Sequence, residues 1–337
     1  MKKITTFILR KSIAFWLTHV GLGLTLLFMC LGSFQFQKLH LRAFTELPEN
    51  VAISDDHHMF LLPFQITLKN FEAEFYDNRQ PKSYKADIVL QNEDTQKQVL
   101  LQVNHPARFM GYDIYLSSYD LHNPNQAEYV ILLVVYDPWV YAKYIGIIML
   151  LTGLFLYIWK LRISENRLVF WIILLFGLGF LLIPFSAYLF GGKNLVPALQ
   201  SWWFVPHIAV YMFAYASLSV ATLLGIYTLF RSKKHFAPVR SSIDFSLKFG
   251  VFLMGIGFLF GMLWGKTAWG NFWNWDLKEI WAAIAWIAYL GVLHFNHYCK
   301  DRIKTLSILI IIAFLLLQMC WFGINYLPES WKSLHRY

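Results

Sequence analysis

WGKTAWGNFWNWDLKEIWAAIAWIAYLGVLH, residues 264–294, holds six of the chain's fourteen tryptophans, one acidic pair (Asp276 and Glu279) and a histidine, His294, at its far end. The part from 280 to 297 is apolar and of the length a helix needs to cross a bilayer. Interfacial tryptophan is ordinary in membrane proteins, because the indole is amphipathic. That accounts for one or two indoles, not for Trp264, Trp269, Trp273, Trp275 and Trp281 within eighteen residues. A dense aromatic shelf suits a flat, polarisable ligand that stacks.

Outward from this stretch the chain keeps the same character. Of 337 residues 57% are hydrophobic and 18% aromatic, while only 15% are charged; a soluble domain has about 25% charged. Apolar runs lie at about 13–34, 138–159, 168–190, 207–230, 245–264, 280–297 and 305–323. This predicts a polytopic α-helical membrane protein of about seven transmembrane helices with one small extracytoplasmic β-rich insert. The organisation expected is a helix over 1–34, the insert over 35–137 and a six-helix part over 138–337 with the tryptophan loop at 264–281. The basic N-terminus leads into a long apolar run with no small-residue cleavage site after it, so it reads as a retained helix. Cys30, Cys299 and Cys320 are scattered and form no CxxC or CxxCH, which points away from a disulfide, a zinc site or a covalent haem of the chain's own.

Basic residues collect in alternate loops: Lys2, Lys3, Arg10 and Lys11; Lys160, Arg162 and Arg167; Arg231, Lys233, Lys234 and Arg240; Lys300, Arg302 and Lys304. By the positive-inside rule these face the cytoplasm. The insert, the tryptophan loop and the C-terminus then face the other side. The net charge of +9 sits in these short loops, so it argues for membrane lipid and not for nucleic acid. The insert carries fourteen acids against eight bases. PFQITLKNFEAEFY, SYKADIVLQN, KQVLLQVN, YDIYLSSYD and EYVILLVVYD alternate apolar and polar residues between turn-like stretches such as DNRQPK and HNPNQ, predicting an antiparallel sheet or sandwich.

Of eleven histidines, His40, His57, His58, His105, His122 and His235 read as surface residues of the insert or a basic loop. His19 and His294 lie inside apolar runs, where an ionisable side chain marks a functional site by default. His19 is about six residues into a helix leaving the basic side, and His294 is near the end of one returning to it. At a rise of about 1.5 Å per residue their depths agree within about one turn. Two facing imidazoles are an axial pair for haem iron; the plain alternative is two interior histidines bonded to neighbouring helices. His297, one turn further, is interfacial and able to substitute. His207, after VPALQSWWFVP, and His335, in LPESWKSLHRY, make a second candidate pair beside the tryptophans, with a solvated tail as the alternative for His335.

Around the indoles, Lys266 and Lys278 are candidate partners for a propionate. Asp276 and Glu279 would orient an outer histidine or an indole N–H, or cap the next helix, where the dipole favours carboxylates. Gly261, Gly265 and Gly270 allow tight turns and close approach.

With these residues in place, WGKTAWGNFWNWDLKEIW resembles the WWD signature of the haem-handling proteins of cytochrome c maturation, the CcsA/ResC family of system II. Leu277 stands where that family usually has proline. The resemblance takes in roughly residues 140–337, with His207, His294 and His335 matching the family's histidines. WLTHVGLGLTLLFMCLGSF and the strand-like segments resemble a shortened form of the partner family, CcsB/ResB, with His19 as its transmembrane histidine. The resemblance implies a multi-pass protein of the cell's inner, cytoplasmic membrane that moves haem b across it. There haem is presented at an outer WWD and bis-histidine site (His207, His335, Trp264, Trp269, Trp273, Trp275, Asp276) to the CxxCH of apocytochrome c, as a component of a cytochrome c synthase or haem lyase. It brings in, as candidate partners, a separate CcsB/ResB-type subunit and a thiol-reducing thioredoxin-like protein. Two other readings stand beside it: a membrane b-type cytochrome that moves electrons, and a non-catalytic assembly scaffold.

Overall fold

A computed structural model describes residues 11–120, 127–189, 194–231 and 236–328, of which 183–189 and 236–238 are described by their backbone alone. Among the described residues the chain forms seven α-helices and eight strands: α1 (Ile13–Ser33), β1 (Gln37–Phe44), β2 (Glu49–Ser54), β3 (Met59–Phe75), β4 (Pro81–Gln91), β5 (Gln96–Gln102), β6 (Ala107–Phe109), β7 (Tyr112–Tyr119), β8 (Tyr129–Tyr136), α2 (Val140–Trp159), α3 (Arg167–Leu189), α4 (Phe204–Leu229), α5 (Phe236–Trp269), α6 (Leu277–Tyr298) and α7 (Ile303–Trp321). Six of the helices are long and apolar enough to cross a membrane, and α3 is apolar as far as its side chains are described. The protein is a polytopic helical membrane protein with a β-rich insert.

The bundle is held by two kinds of contact. In α1 and α2 small residues let the backbones touch. A Cβ added to Gly21 would lie 2.5 Å from the amide nitrogen of Leu150, and one on Gly153 would lie 2.6 Å from that of Thr18. Close backbone packing of this kind is how helices associate where lipid removes the hydrophobic drive between them. The second contact is the core around α5, where Leu247, Val251, Met254 and Leu259 are buried against α2, α4 and α6. At 34 residues α5 begins well before and ends after the apolar run at 245–264. Its length of about 50 Å exceeds the hydrocarbon thickness of about 30 Å, so both ends stand clear of it. The apolar run marks only the part that lipid or core must match, which is why composition underestimates this helix.

The insert is one eight-stranded sheet in the order β5-β4-β3-β2-β1-β8-β7-β6, antiparallel at every neighbour. It curls so that β4 and β5 approach β7 across a core including Leu41, Ile66, Ile88, Leu101, Ile114 and Leu132. The five alternating segments of the sequence become β3, β4, β5, β7 and β8, and β1, β2 and β6 complete the sheet. β1 pairs with β8 over its whole length, from Gln37 opposite Tyr136 to Phe44 opposite Tyr129, so the strand just after α1 sits beside the strand just before α2.

Candidate functional site

α1 and α6 bring His19 and His294 to one cavity of about 950 Å³ between α1, α2, α5 and α6, and His297 lines it as well. This is at the upper end of the volumes of ligand pockets, about 300–1,000 Å³. Both histidines are exposed to it and both are locked the same way. His19 Nδ1 is 2.8 Å from the carbonyl oxygen of Phe15, and His294 Nδ1 is 2.7 Å from that of Leu290. A carbonyl only accepts, so each Nδ1 carries a proton, and in the neutral ring the lone pair is then on Nε2. Such a bond sets the tautomer a metal-binding imidazole needs. The ring of Phe15 stacks on His19 at 4.0 Å. Each histidine is hydrogen-bonded to its own helix and not to a neighbouring one, and that bond leaves Nε2 facing away from the Nδ1 contact.

His207 lies at the opposite end of the bundle, on the first turns of α4. Its Nδ1 donates to the carbonyl of Gly257 on α5 at 2.8 Å, so a backbone carbonyl helps to hold it. Gly261 is one turn on, and a Cβ there would lie 2.7 Å from His207 Cε1. The ring therefore occupies the space that the glycine leaves. Trp264 packs at 5.8 Å from His207, 5.1 Å from Phe204 and 5.0 Å from Trp269, with its Nε1 donating to the Ala198 carbonyl.

The tryptophan stretch is less of a loop than its composition suggests. Trp264 and Trp269 belong to the last turns of α5, and only the residues between Gly270 and Asp276 connect it to α6. Trp264 is 1% exposed, hence a core residue and not an open shelf, whereas Trp275 is 76% exposed. Trp275, with φ of 58°, is in the left-handed region that non-glycine residues seldom adopt, a strain that tends to collect at functional turns. From it a row of rings leads back toward the cavity: Trp275 to Trp273 at 5.8 Å, Trp273 to Phe258 at 5.6 Å, and Phe258 to Trp286, which lines the cavity, at 5.4 Å.

Asp276 and Glu279 form a capping box. Asp276 Oδ1 accepts from the amide of Lys278 at 2.8 Å, and Glu279 Oε2 accepts from the amides of Asp276 at 3.1 Å and Asn274 at 2.8 Å. Helix capping, one of the roles expected for this pair, is thus realised. Lys266, expected as a propionate partner, is instead 3% exposed and lies 3.0 Å from Asp113 of β7 and 3.0 Å from the Gly270 carbonyl. It ties the tryptophan end to the sheet. Gly270 has φ of +79°, and a Cβ on it would meet Val135 of β8 at 2.8 Å. Beside this contact, burial and the Asp113 carboxylate push the Tyr115 phenol well above its ordinary pKa. A second buried pair, Lys143 with Asp137 at 2.8 Å, joins the start of α2 to the end of the sheet. His335 lies outside the described residues.

Sequence reasoning missed Asp113, the Gly257 carbonyl, and two donors on the cavity wall, Arg240 and Trp286. Arg240 reads as one more residue of a basic loop, because α5 begins earlier than its apolar run.

The family model described as cytochrome C assembly protein matches residues 141–332, and a ResB-like family model matches residues 11–129. Among curated relatives, the cytochrome c biogenesis protein CcsA of Prochlorococcus marinus (strain MIT 9301) is 32% identical over 178 residues, 43% of this chain and 57% of the relative. The protein of that name from Guillardia theta is 31% identical over 172 residues, 42% of this chain and 56% of its own length. The chain thus spans little more than half the length of these relatives. With its helical part covered by one family model and the first helix and most of the sheet by the other, the chain belongs to the cytochrome c assembly protein family and carries a ResB-like part ahead of it.

Proposed function

We propose that the protein works in cytochrome c maturation by holding haem b at His19 and His294 and then presenting it at the tryptophan end, beside His207 and His335, to the CxxCH of apocytochrome c. One observation carries the reading: two imidazoles from different helices line one large cavity, each with Nδ1 bound to its own helix and the lone pair on Nε2. Such a pair fits the two axial positions of an iron porphyrin.

The charge pattern supports an orientation with the N-terminus in the cytoplasm of a cell bounded by an inner membrane, and the sheet, the tryptophan end and the tail outside. His207 and the tail's His335 would then take the iron at the outer end, with Trp273, Trp275 and Asp276 shaping the connection and Trp264 and Trp269 backing His207. Attachment adds each cysteine S–H across a vinyl group. One C–S and one C–H bond form as an S–H bond and a C=C π bond are lost, and no oxidant is needed. The thiols must arrive reduced, which is the place for a thioredoxin-like donor. The ResB-like part within the chain serves in the role of a separate subunit.

The row of rings between cavity and tryptophan end favours a second reading, a membrane b-type cytochrome passing electrons along it. Spectra of purified protein and c-type cytochrome yield in cells separate the two. Under the first reading His19→Ala and His294→Ala abolish the bis-imidazole spectrum. His207→Ala and His335→Ala leave that spectrum at the inner cavity but end c-type cytochrome production. An electron carrier would tolerate the last two changes, and that result would sink the maturation reading.

A further inference from the structure

The cavity holding His19 and His294 is chemically lopsided. Phe15, Leu150, Leu154 and Leu290 give it apolar walls. Where the first turn of α1, the ends of α2 and α6 and the early turns of α5 meet, it is lined by Lys11, Lys160, Arg240, Lys248 and Lys300 against one acid, Asp244. Five cations less one anion leave an excess of four positive charges on that wall.

Asp244 is already engaged. Its Oδ2 accepts from Lys248 Nζ at 2.6 Å, and its Oδ1 accepts from Asn296 Nδ2 at 2.7 Å. Asn296 in turn takes Nη2 of Arg240 on its side-chain oxygen. This chain of contacts holds the guanidinium and leaves its Nη1 buried with no hydrogen-bond partner. Lys160 and Lys300, on the same wall, form no ion pair among the described residues. Nε1 of Trp286, which lines the cavity nearer the tryptophan end, is a second buried donor with no partner, and its residue is 7% exposed. A buried donor left unpaired costs free energy, more so when it is charged. Such a group in a folded protein calls for an explanation, a ligand among them. At the cationic wall the unpaired group is a guanidinium donor, so the missing partner there is an acceptor, and the surplus charge makes it an anion. Guanidinium matches a carboxylate through two parallel N–H bonds.

Resting on the reading of the cavity as a haem site, we propose that Arg240, with Lys160 and Lys300, binds the propionate carboxylates of haem. The macrocycle then sits with its carboxylate edge at the cationic mouth, its iron at the level of His19 and His294, and its vinyl-bearing side turned toward the tryptophan end. Arg240 is a positioning residue: it fixes which edge leads.

The test compares haem with its dimethyl ester, which keeps iron, ring and vinyl groups but has no carboxylates. Full-length protein in detergent is titrated with each, following the Soret band, for the wild type, Arg240→Gln and the pair Lys160→Gln/Lys300→Gln. Micelle partitioning of the ester is common to all three, so the ratio of the two affinities is what is read. The wild type should prefer haem over the ester by about ten- to a hundredfold, the range of charge-assisted hydrogen bonds. Arg240→Gln should lose most of that preference while binding the ester as the wild type does. The lysine pair should lose a smaller part, and it keeps the test sharp should Arg240→Gln not fold. Equal wild-type affinity for haem and ester overturns the proposal and leaves the haem site standing, as does an unchanged preference in Arg240→Gln. No bis-imidazole spectrum with either ligand overturns the haem reading and this proposal together. Displacement of haem and ester alike by phosphatidylglycerol, and not by phosphatidylcholine, would make the cavity a lipid site and likewise overturn it.

Discussion

The two histidine-bearing ends of the bundle are built in opposite ways. At the end of His19 and His294 the imidazoles are exposed to an open cavity, and donors on its wall lack partners. At the end of His207 the described residues pack closely: Trp264 and Phe272 are 1% exposed, Lys266 is locked to the sheet, and the ring of His207 rests in the gap over Gly261. One end has room in advance of a ligand. The other is a fixed frame tied to a second layer of structure, so stability should be concentrated there. Substitutions that cost little at the cavity should be expensive at the frame.

The largest contrast is between ion pairs. Lys143 and Asp137, at the sheet end, have side chains 3% and 1% exposed, whereas Lys248 and Asp244, on the cavity wall, are 39% and 37% exposed. Lys143→Met strands a buried carboxylate and should cost about 3–5 kcal/mol. Lys248→Met should cost less than about 1 kcal/mol. Adding Asp137→Asn to Lys143→Met should restore most of the loss, because the uncompensated charge is gone. Thermal unfolding in detergent measures all three, and similar losses for the two lysines would erase the distinction between the ends.

Glycines give the next step down. Gly261→Ala must displace His207, since the new Cβ would lie 2.7 Å from the ring, and overpacking of this kind costs about 1–3 kcal/mol. Gly291 on α6 has nothing within 4 Å of an added Cβ. Gly291→Ala should be neutral, or stabilising by up to about 1 kcal/mol through helix propensity. Gly261→Ala should also end function at the tryptophan end without changing the spectrum of haem bound at His19 and His294. A spectral change at the far cavity would mean that the ends are mechanically coupled.

The open end was the more legible of the two in the sequence. Depth along two apolar helices suffices to bring His19 and His294 together, because straight helices carry position in their residue count. What the count lacks is the lock on each ring, although a carbonyl four residues back is present at every interior position of a helix. Arg240 stayed hidden because the polar first turns of α5 look like loop. At the tryptophan end composition pointed to the right stretch and the wrong form. Indoles that read as an exposed shelf include Trp264, fully enclosed by Phe204, His207 and Trp269, partners from more than one helix. The Lys266–Asp113 contact spans some 150 residues of sequence, and no local pattern announces it. In the sheet, the alternation in QKLHLRAF was there to be read as β1. The short β2 and β6 carry too few residues for a period to emerge.

The smallest effect bears on Asp276, which has both a structural and a ligand-directed account. As the N-cap of α6 its side chain serves as an acceptor for backbone amides of the first turn, Lys278 among them. Asp276→Ala should therefore cost about 1 kcal/mol, read as a small fall in melting temperature. Asp276→Asn keeps the acceptor oxygen, asparagine being as good an N-cap as aspartate, so it should melt within a few tenths of a kcal/mol of the wild type. Stability alone thus separates alanine from asparagine, and function need not follow it. If Asp276→Asn keeps both stability and c-type cytochrome production, the cap is the whole role, and the tryptophan end works through its shape. If it melts like the wild type yet fails to mature cytochromes, the carboxylate charge itself acts there. The tryptophan end would then be no passive frame, and the contrast with the cavity end would hold for stability alone.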